Sequence, residues 1–369
     1  MNPAEWNALD HGSSPFTEFG FLRALELSGS VGEGSGWLPS YVLVRRGGAL
    51  VGAAPAYLKG HSYGEYIFDW SWASAAQRAG LSYYPKVVVA VPVTPATGKR
   101  LLLSPDLDDV SREAVVDTLV GGVMELAARA EASSVHWLFC SARERALLEA
   151  RGFLGRTTFQ FHWENRSYSD FDGFLDALTS RKRKQLRKER ARARCTVDEV
   201  SFASGAQVGD EDLRAMGRFY RRTVDHRGGI PYLRPDFFRA LCELMPHRVQ
   251  FCRALQGGQI CAGALYLETG DGLYGRYWGC DAQREFLHFE LAYYAGIERC
   301  IERGIPRFEA GAQGEHKLLR GFLPTATHSC HWLAHPGLSR AVEGSLREEE
   351  AATAQRMAEL AGYAPYKAS

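Results

Sequence analysis

The sequence predicts an α+β protein built twice over, with two mixed sheets, each flanked by helices, in one chain of 369 residues. Three observations lead there. At roughly 100–200 residues per domain, the length suits two domains. A hairpin, a valine-rich strand, a long helix and a further strand follow one another in the first half, and that order returns in the second half with different residues. A composition of 46% hydrophobic and 24% charged residues is that of an ordinary globular protein and excludes disorder or a fibrous repeat.

Residues 41–44 alternate apolar and polar, Gly47-Gly48 turns the chain and 49–58 returns, which is a hairpin signal. A strand over 86–93 is followed by a Pro/Gly/Thr loop. Residues 111–132 show a helical period with a Ser start and a Glu in the first turn. A buried strand over 135–140, a helix over 142–151 stopped by Gly152, and a strand over 153–163 complete the half. In the second half 171–194 reads as one helix, with others at 210–225 and 235–244. Strands follow at 249–255, 260–267 and 273–279, then a helix over 286–302, strands at 307–310 and 325–333, and a polar helix over 339–360. The expected domains are 1–165 and 166–369, the second carrying both the basic helix 181–194 and the terminal helix 339–360. A doubly wound sheet would open on strand–helix–strand with a Gly-rich turn, and no GxGxxG occurs. The order matches the acetyltransferase-type GNAT fold, in which a central strand splays from its neighbour and an acyl donor enters the gap.

Bulk features narrow the setting. The start, MNPAEWNALDHG, has neither the basic nor the apolar region of a signal peptide. No run approaches the roughly eighteen apolar residues of a membrane helix. Eight scattered cysteines form no CxxC pair, which predicts reduced, mostly buried thiols and a cytoplasmic chain. Lys plus Arg (44) against Asp plus Glu (43) leave a net +1 and exclude a general polyanion binder. That balance hides residues 181–194, where nine basic residues and one acid make a local +8 against −7 elsewhere. Two readings stand. The helix is a solvated flank of the domain junction, or Arg181, Lys182, Arg183, Lys184, Arg187 and Lys188 contact the phosphates of a donor. Few aromatics interleave them, which favours backbone over base contact.

The second cluster spans residues 273–322. Glu290, Tyr293, Tyr294 and Ile297 share one helical face, whereas His288 lies about 200° round from Glu290. A carboxylate on an apolar face needs a partner, and Arg276, Lys317 and Arg320 are the expected ones. A structural ion pair and a general base are both open for Glu290. The strand at 307–310 ends in Gly311-Ala312-Gln313-Gly314-Glu315-His316-Lys317, and α/β sites form where strands end. Glycines permit close backbone approach there, while Gln313, Glu315, His316 and Lys317 bring donors, acceptors and an imidazole. Arg276, Trp278, His288, Tyr294 and Arg320 are read as substrate-binding beside them. In the first half an aromatic wall, 64–70 with 83–86, bears Glu65 and Asp69. It is either core with a satisfied acid pair or one wall of a substrate groove. His328, His331 and His335 read as local packing rather than a metal site, because three-residue spacing in a strand points side chains to opposite faces. Neither GxSxG nor GxxxxGK[ST] occurs, which argues against a serine hydrolase and a nucleotide triphosphatase.

Several long words, among them VGAAPAYLKGHSYGEYIFDW, DFDGFLDALTSRKRKQLRKER, FLHFELAYYAGIERCIERG and FEAGAQGEHKLLRGFLPTATHS, resemble the FemAB-like N-acyltransferases, also described as peptidoglycan biosynthesis or recognition proteins. The resemblance covers nearly the whole chain. Val93 stands where that family usually has Phe, and residues 228–232 differ around an aromatic position. The resemblance implies a tandem GNAT fold similar to ligases that move an amino acid from aminoacyl-tRNA onto a cell-wall precursor. No cofactor is expected to be tightly bound, and the donor is aminoacyl-tRNA or acyl-CoA. The [QR]xxGx[GA] loop that cradles the coenzyme A pyrophosphate is missing; residues 280–286 read CDAQREF instead. That tilts the expectation toward aminoacyl-tRNA, held through the basic helix. The expected mechanism has a small-molecule or peptide amine attack an activated ester or thioester. Glu290 first, or His316, removes the proton, Lys317 holds charge, and backbone N–H groups near residues 277–279 stabilise the oxyanion. The rival expectation is a non-catalytic GNAT pair that binds peptidoglycan fragments or RNA, in which Glu290, His316 and Lys317 open onto no common cleft.

Overall fold

The computed structural model describes residues 2–312 and 314–367. In chain order the first half contains α1 (Pro3–Asn7), α2 (Phe19–Leu27), β1 (Leu38–Pro39), β2 (Val42–Arg46), β3 (Ala49–Ala54), β4 (Ala56–Lys59), α3 (Trp70–Arg78), β5 (Lys86–Val89), β6 (Leu102–Leu103), α4 (Asp109–Arg129), β7 (Ser134–Cys140), α5 (Ala142–Glu149) and β8 (Leu154–Glu164). The second half contains α6 (Phe171–Asp176), α7 (Ser180–Arg194), β9 (Glu199–Ser204), α8 (Asp210–His226), α9 (Asp236–Leu244), β10 (Val249–Gln256), β11 (Gln259–Glu268) and β12 (Leu273–Cys280). It ends with α10 (Leu287–Phe289), a π-helical stretch (Glu290–Tyr294), α11 (Ala295–Arg303), β13 (Arg307–Glu309), a 3-10 helix (Glu315–Arg320), β14 (Leu323–Leu333) and α12 (Pro336–Gly362).

Contacts divide the chain into Met1–Phe159 with Ala326–Arg356 and Gln160–Thr325 with Met357–Ser369. This differs from a cut at 165/166, because most of α12 belongs with the first unit. Its Leu338, Val342 and Leu346 repeat at i, i+4, i+8 and pack on Trp72, Ala76 and Tyr83 around α3.

In the first unit β4 pairs antiparallel with β5, and β5 runs parallel to β7 over Val87–Val89 against Val135–Trp137. One side of this sheet packs on α4, whose Val115, Val116, Leu119, Val120 and Val123 form a helical stripe in the core. The expected hairpin is β2–β3, turned by Gly47-Gly48 with both residues at positive φ, the backbone that two-residue hairpin loops require.

The second unit repeats this plan. β10 and β11 form a hairpin turned by Gly257-Gly258, again both at positive φ. β11 pairs antiparallel with β12, and β12 runs parallel to β13. Gly279 packs against α8, where an added Cβ would lie 2.5 Å from the Phe219 carbonyl oxygen. Gly279→Ala should therefore cost about 2 kcal/mol, the usual order for overpacking, read as a lower denaturation midpoint with an unchanged m-value.

Two expected helices are broken. The span 171–194 is two helices, because residues 177–179 pair with the C-terminal tail: Thr179 N–H donates to Pro365 O and Lys367 N–H to Ala177 O. The span 286–302 is interrupted by the π-helical stretch, which widens the turn under Glu290. Such insertions recur at functional sites.

Candidate functional site

The ladder between β12 and β13 covers only Leu273 opposite Phe308 and Tyr274 opposite Glu309. From Gly275 to Cys280, β12 keeps its β11 partner and, among the described residues, has no ladder on its other edge. At the point of divergence the register slips, leaving Arg276 as an extra residue between Gly275 and Tyr277. A bulge bends the strand and re-aims side chains, so β12 turns away from β13 and opens a gap. Gly311, just past β13, has φ 81° and comes close to the Gly275 carbonyl, which keeps that segment at the mouth of the gap.

Side chains gather at this mouth. Trp278 on β12 has its ring centroid 5.0 Å from that of His288, and His288 lies 6.1 Å from His316. Tyr293 Oη is 2.8 Å from His316 Nε2. Lys317 is buried and donates from Nζ to Gly311 O at 2.5 Å. Arg320 holds the backbone of His316 by donating to its carbonyl oxygen at 2.8 Å, and its guanidinium lies 3.4 Å from the centre of the Phe289 ring. Burial alone lowers the Lys317 ammonium to about 7. Burial, then His316, Arg227, Arg320 and Lys317, lower His288 to about 3. His316 is lowered by burial first and by Arg320, Lys317 and Arg227 next. The mouth thus holds two neutral imidazoles and a lysine poised near neutrality, in cationic surroundings.

Several expected residues stand elsewhere. Glu290 is fully buried and pairs with neither Arg276, Lys317 nor Arg320. Its Oε1 accepts from Arg190 Nε at 3.2 Å and Arg194 Nε at 2.8 Å, on α7. A fully buried carboxylate takes the nearest guanidinium pair, and α7 presents two one turn apart. Tyr294 is core: it donates to Glu189 Oε2 at 2.5 Å, and Arg320 donates to the same oxygen at 2.8 Å. Glu315 is exposed, and Gln313 lies outside the described residues. Two residues outside the expected set bear on the mouth: Tyr293, whose hydroxyl meets His316, and Arg227, whose charge helps lower His288 and His316. Arg227 adjoins the divergent 228–232 segment, and Tyr293 was placed on the Glu290 face, whereas its hydroxyl meets His316.

The basic helix is not uniformly free. Arg183, Arg187, Arg190 and Arg194 form one stripe at i, i+4, i+7, i+11, and each is ion-paired, to Asp176, Asp172, and the Glu290–Glu298 pair. Lys182 donates to Gln185. Arg181, Lys184 and Lys188 form a second, exposed stripe with no ion pair among the described residues. Arg183 and Arg187 thus already carry surface carboxylate partners.

The first unit has the parallel pair but no gap. Residues 96–101 lie along the end of β7: Gly98 N–H donates to Phe139 O, and the Arg100 guanidinium donates to Leu138 O and Ala96 O. Glu65 and Asp69 are not a groove wall. Both are buried on the Lys86 ammonium, at 2.8 and 2.5 Å.

Among solved structures, FemX superposes with a TM-score of 0.57 at 11% identity, covering 93% of this chain and 98% of that one. L-PGS from Bacillus licheniformis gives 0.53 at 11% identity over 88% and 95%. A conserved protein of unknown function from Bacteroides thetaiotaomicron VPI-5482 gives 0.53 at 14% identity over 89% and 94%. These likenesses concern the fold, and with the topology repeated in each unit the architecture is a tandem GNAT fold. No curated protein sequence matches the chain, and no helix among the described residues is long and apolar enough to cross a membrane. Residues 1–368 match the FemAB-like model, described as peptidoglycan biosynthesis/recognition, and the chain belongs to that family.

Proposed function

We propose that the second unit is an aminoacyltransferase that moves an aminoacyl group from an RNA-linked ester to an amine of a peptidoglycan-related acceptor. The observation that carries this reading is the mouth beside β12, where His316 meets Tyr293 and Lys317 reaches the Gly311 carbonyl next to the strand edge that leaves β13. The reaction uses the tautomer in which His316 Nε2–H donates to Tyr293 Oη, so that Nδ1 takes the proton of the attacking amine. The amine nitrogen bonds to the ester carbon, and the oxyanion is held by the Lys317 ammonium and N–H groups of β12. Collapse breaks the ester C–O bond, and the imidazolium returns its proton to the leaving hydroxyl. Glu290, expected as first base, is replaced in this role by His316. The first unit, where residues 96–101 lie along the end of β7 and no such gap opens, is the non-catalytic copy.

Two features favour an RNA ester over acyl-CoA. Residues 280–286 contain no glycine to let a pyrophosphate approach backbone N–H groups, whereas Arg181, Lys184 and Lys188 offer an unpaired stripe for a phosphate backbone. The test is product formation, followed by mass spectrometry, from charged tRNA and from acyl-CoA with a peptidoglycan stem-peptide amine. Reversing Arg181, Lys184 and Lys188 to Glu should raise KM for charged tRNA at least tenfold with kcat kept. It should also flatten the salt dependence by about 2–3 in log–log slope. Transfer from acyl-CoA alone, or an unchanged salt slope, would sink the donor assignment.

A further inference from the structure

The first unit carries a buried charged cluster that the transfer reaction does not use. Lys59 and Lys86 sit opposite each other on β4 and β5, and both are at most 1% exposed. Ser134 and His136 on β7 and Ser329 and His331 on β14 extend the same polar face, all buried. The carboxylates come from the strap joining β4 to α3, not from the sheet. Lys86 Nζ donates to Glu65 Oε2, Asp69 Oδ2 and Ser62 Oγ at 2.8, 2.5 and 2.7 Å. Lys59 Nζ lies 3.8 Å from Glu65 Oε1 and 3.6 Å from the centre of the Trp37 ring. Tyr83 Oη donates to Asp69 Oδ2 at 2.7 Å, and His136 Nε2 is 3.8 Å from that oxygen. The two histidines meet each other through Nδ1 at 2.7 Å and close on Ser134 and Ser329.

As a purely structural device this arrangement is poor. Apolar residues of similar volume commonly stabilise a core as well as a buried ion pair does. Glu65 Oε1 and Asp69 Oδ1, both buried, accept no hydrogen bond, which leaves part of their desolvation uncompensated. Burial raises Glu65 and lowers Lys59, both to about 7, so this pair is held weakly. The strap's other side exposes Tyr63, Phe68 and Trp70 at 45%, 46% and 39%, with Trp70 centred 5.1 Å from Tyr63 and 6.2 Å from Phe68. An exposed aromatic cluster of this kind usually marks a contact surface. Gly60 and Gly64, the latter at φ 79°, give the strap points at which to turn.

We propose that Lys59 and Lys86 form a binding site for a phosphate monoester, and that the Glu65 and Asp69 carboxylates occupy it as a displaceable strap. The charge matches: a phosphate monoester carries about −1.5 to −2 near neutral pH, close to that of the two carboxylates it replaces. Its three oxygens suit the donors that remain when the strap moves, the two ammoniums and Tyr83 Oη. The exposed rings accommodate an aromatic or sugar group on the ester.

The test uses the full chain with phenyl phosphate and inorganic phosphate as probes, in calorimetric titration. Glu65→Gln with Asp69→Asn should bind phenyl phosphate at least tenfold tighter than the unsubstituted protein, and adding Lys86→Met should abolish it. Tighter binding of phenyl phosphate than of inorganic phosphate assigns the rings to the ligand; equal affinity confines the site to the phosphate. Folded double variant without phosphate binding overturns the proposal. If that variant does not fold, hydrogen exchange of amides 60–70 in the unsubstituted protein decides. Phenyl phosphate should speed it at least tenfold relative to sodium chloride of equal ionic strength, and no change overturns the proposal. None of these readouts involves acyl transfer, so they stand or fall apart from the second unit's activity.

Discussion

Lys317→Met is expected to lower kcat/KM for acyl transfer by about 10²–10³-fold, the usual effect of losing one oxyanion donor, while raising the thermal midpoint. The two effects have one cause. The Lys317 ammonium is buried and its folded pKa is about 7, well below its ordinary value of 10.5. The sign follows from proton counting. Between pH 7 and 10.5 the unfolded chain binds the proton that the folded chain has lost, so stability rises with pH across that window. At neutral pH and below, burying the charge costs stability, and methionine fills the space without that cost. The gain is reduced by the Gly311 carbonyl, which loses its donor. A rise of roughly 3–6 °C is expected for a unit of this size. A lysine kept for packing alone would show the reverse, a lower midpoint with turnover intact.

The same assignment shapes the pH profile. His316 must be neutral to accept a proton, and its pKa is lowered by burial and by Arg320, Lys317 and Arg227. Lys317 must be charged to hold the oxyanion, and it loses its proton near pH 7. The profile of kcat/KM should therefore be a narrow bell. Its acid limb lies below pH 6.5 and its alkaline limb near 7, and Lys317→Arg should move the alkaline limb upward. A single rising limb through pH 7 would instead make Lys317 the base and remove His316 from that role.

Much of this architecture was legible because it is local. Paired glycines with positive φ mark both hairpins, and the stripe Val115–Val123 names its own buried face. Loop chemistry after a strand singled out the segment in which His316 meets Tyr293 and Lys317 reaches the Gly311 carbonyl, since a strand end with glycines and polar residues has few structural uses. What periodicity misses is the tertiary partner. The break at 177–179 depends on Pro365 and Lys367, nearly two hundred residues away. The partner of Glu290 is an arginine pair a hundred residues earlier, and no spacing rule within a helix can choose it over Lys317. The charge of +8 on the basic segment was countable, but its division into a paired and an unpaired stripe depends on which carboxylates the fold brings to α7.

Glu290→Gln is expected to cost about 3 kcal/mol of stability and to leave kcat/KM within tenfold. Glu290 and Glu298 face Arg190 and Arg194 as a four-membered cluster with no net charge. Both guanidiniums donate to Glu290 Oε1 and both also reach Glu298. The amide keeps the shape but removes one negative charge beneath two cations. Breaking a buried pair by removing one partner costs roughly 3–5 kcal/mol. The lower end applies because Arg194 is about half exposed and Glu298 remains. In the π-helical stretch the carboxylate points to α7, while Tyr293 points to His316, so the loss should not propagate to the mouth of the gap. A general base would behave in the opposite way: Glu290→Gln would then lose at least a hundredfold in kcat/KM with little change in unfolding midpoint, and equilibrium urea unfolding beside single-turnover transfer distinguishes the two. Arg190→Met should lower stability in the same direction but by less, because Arg194 still donates to Glu290 Oε1.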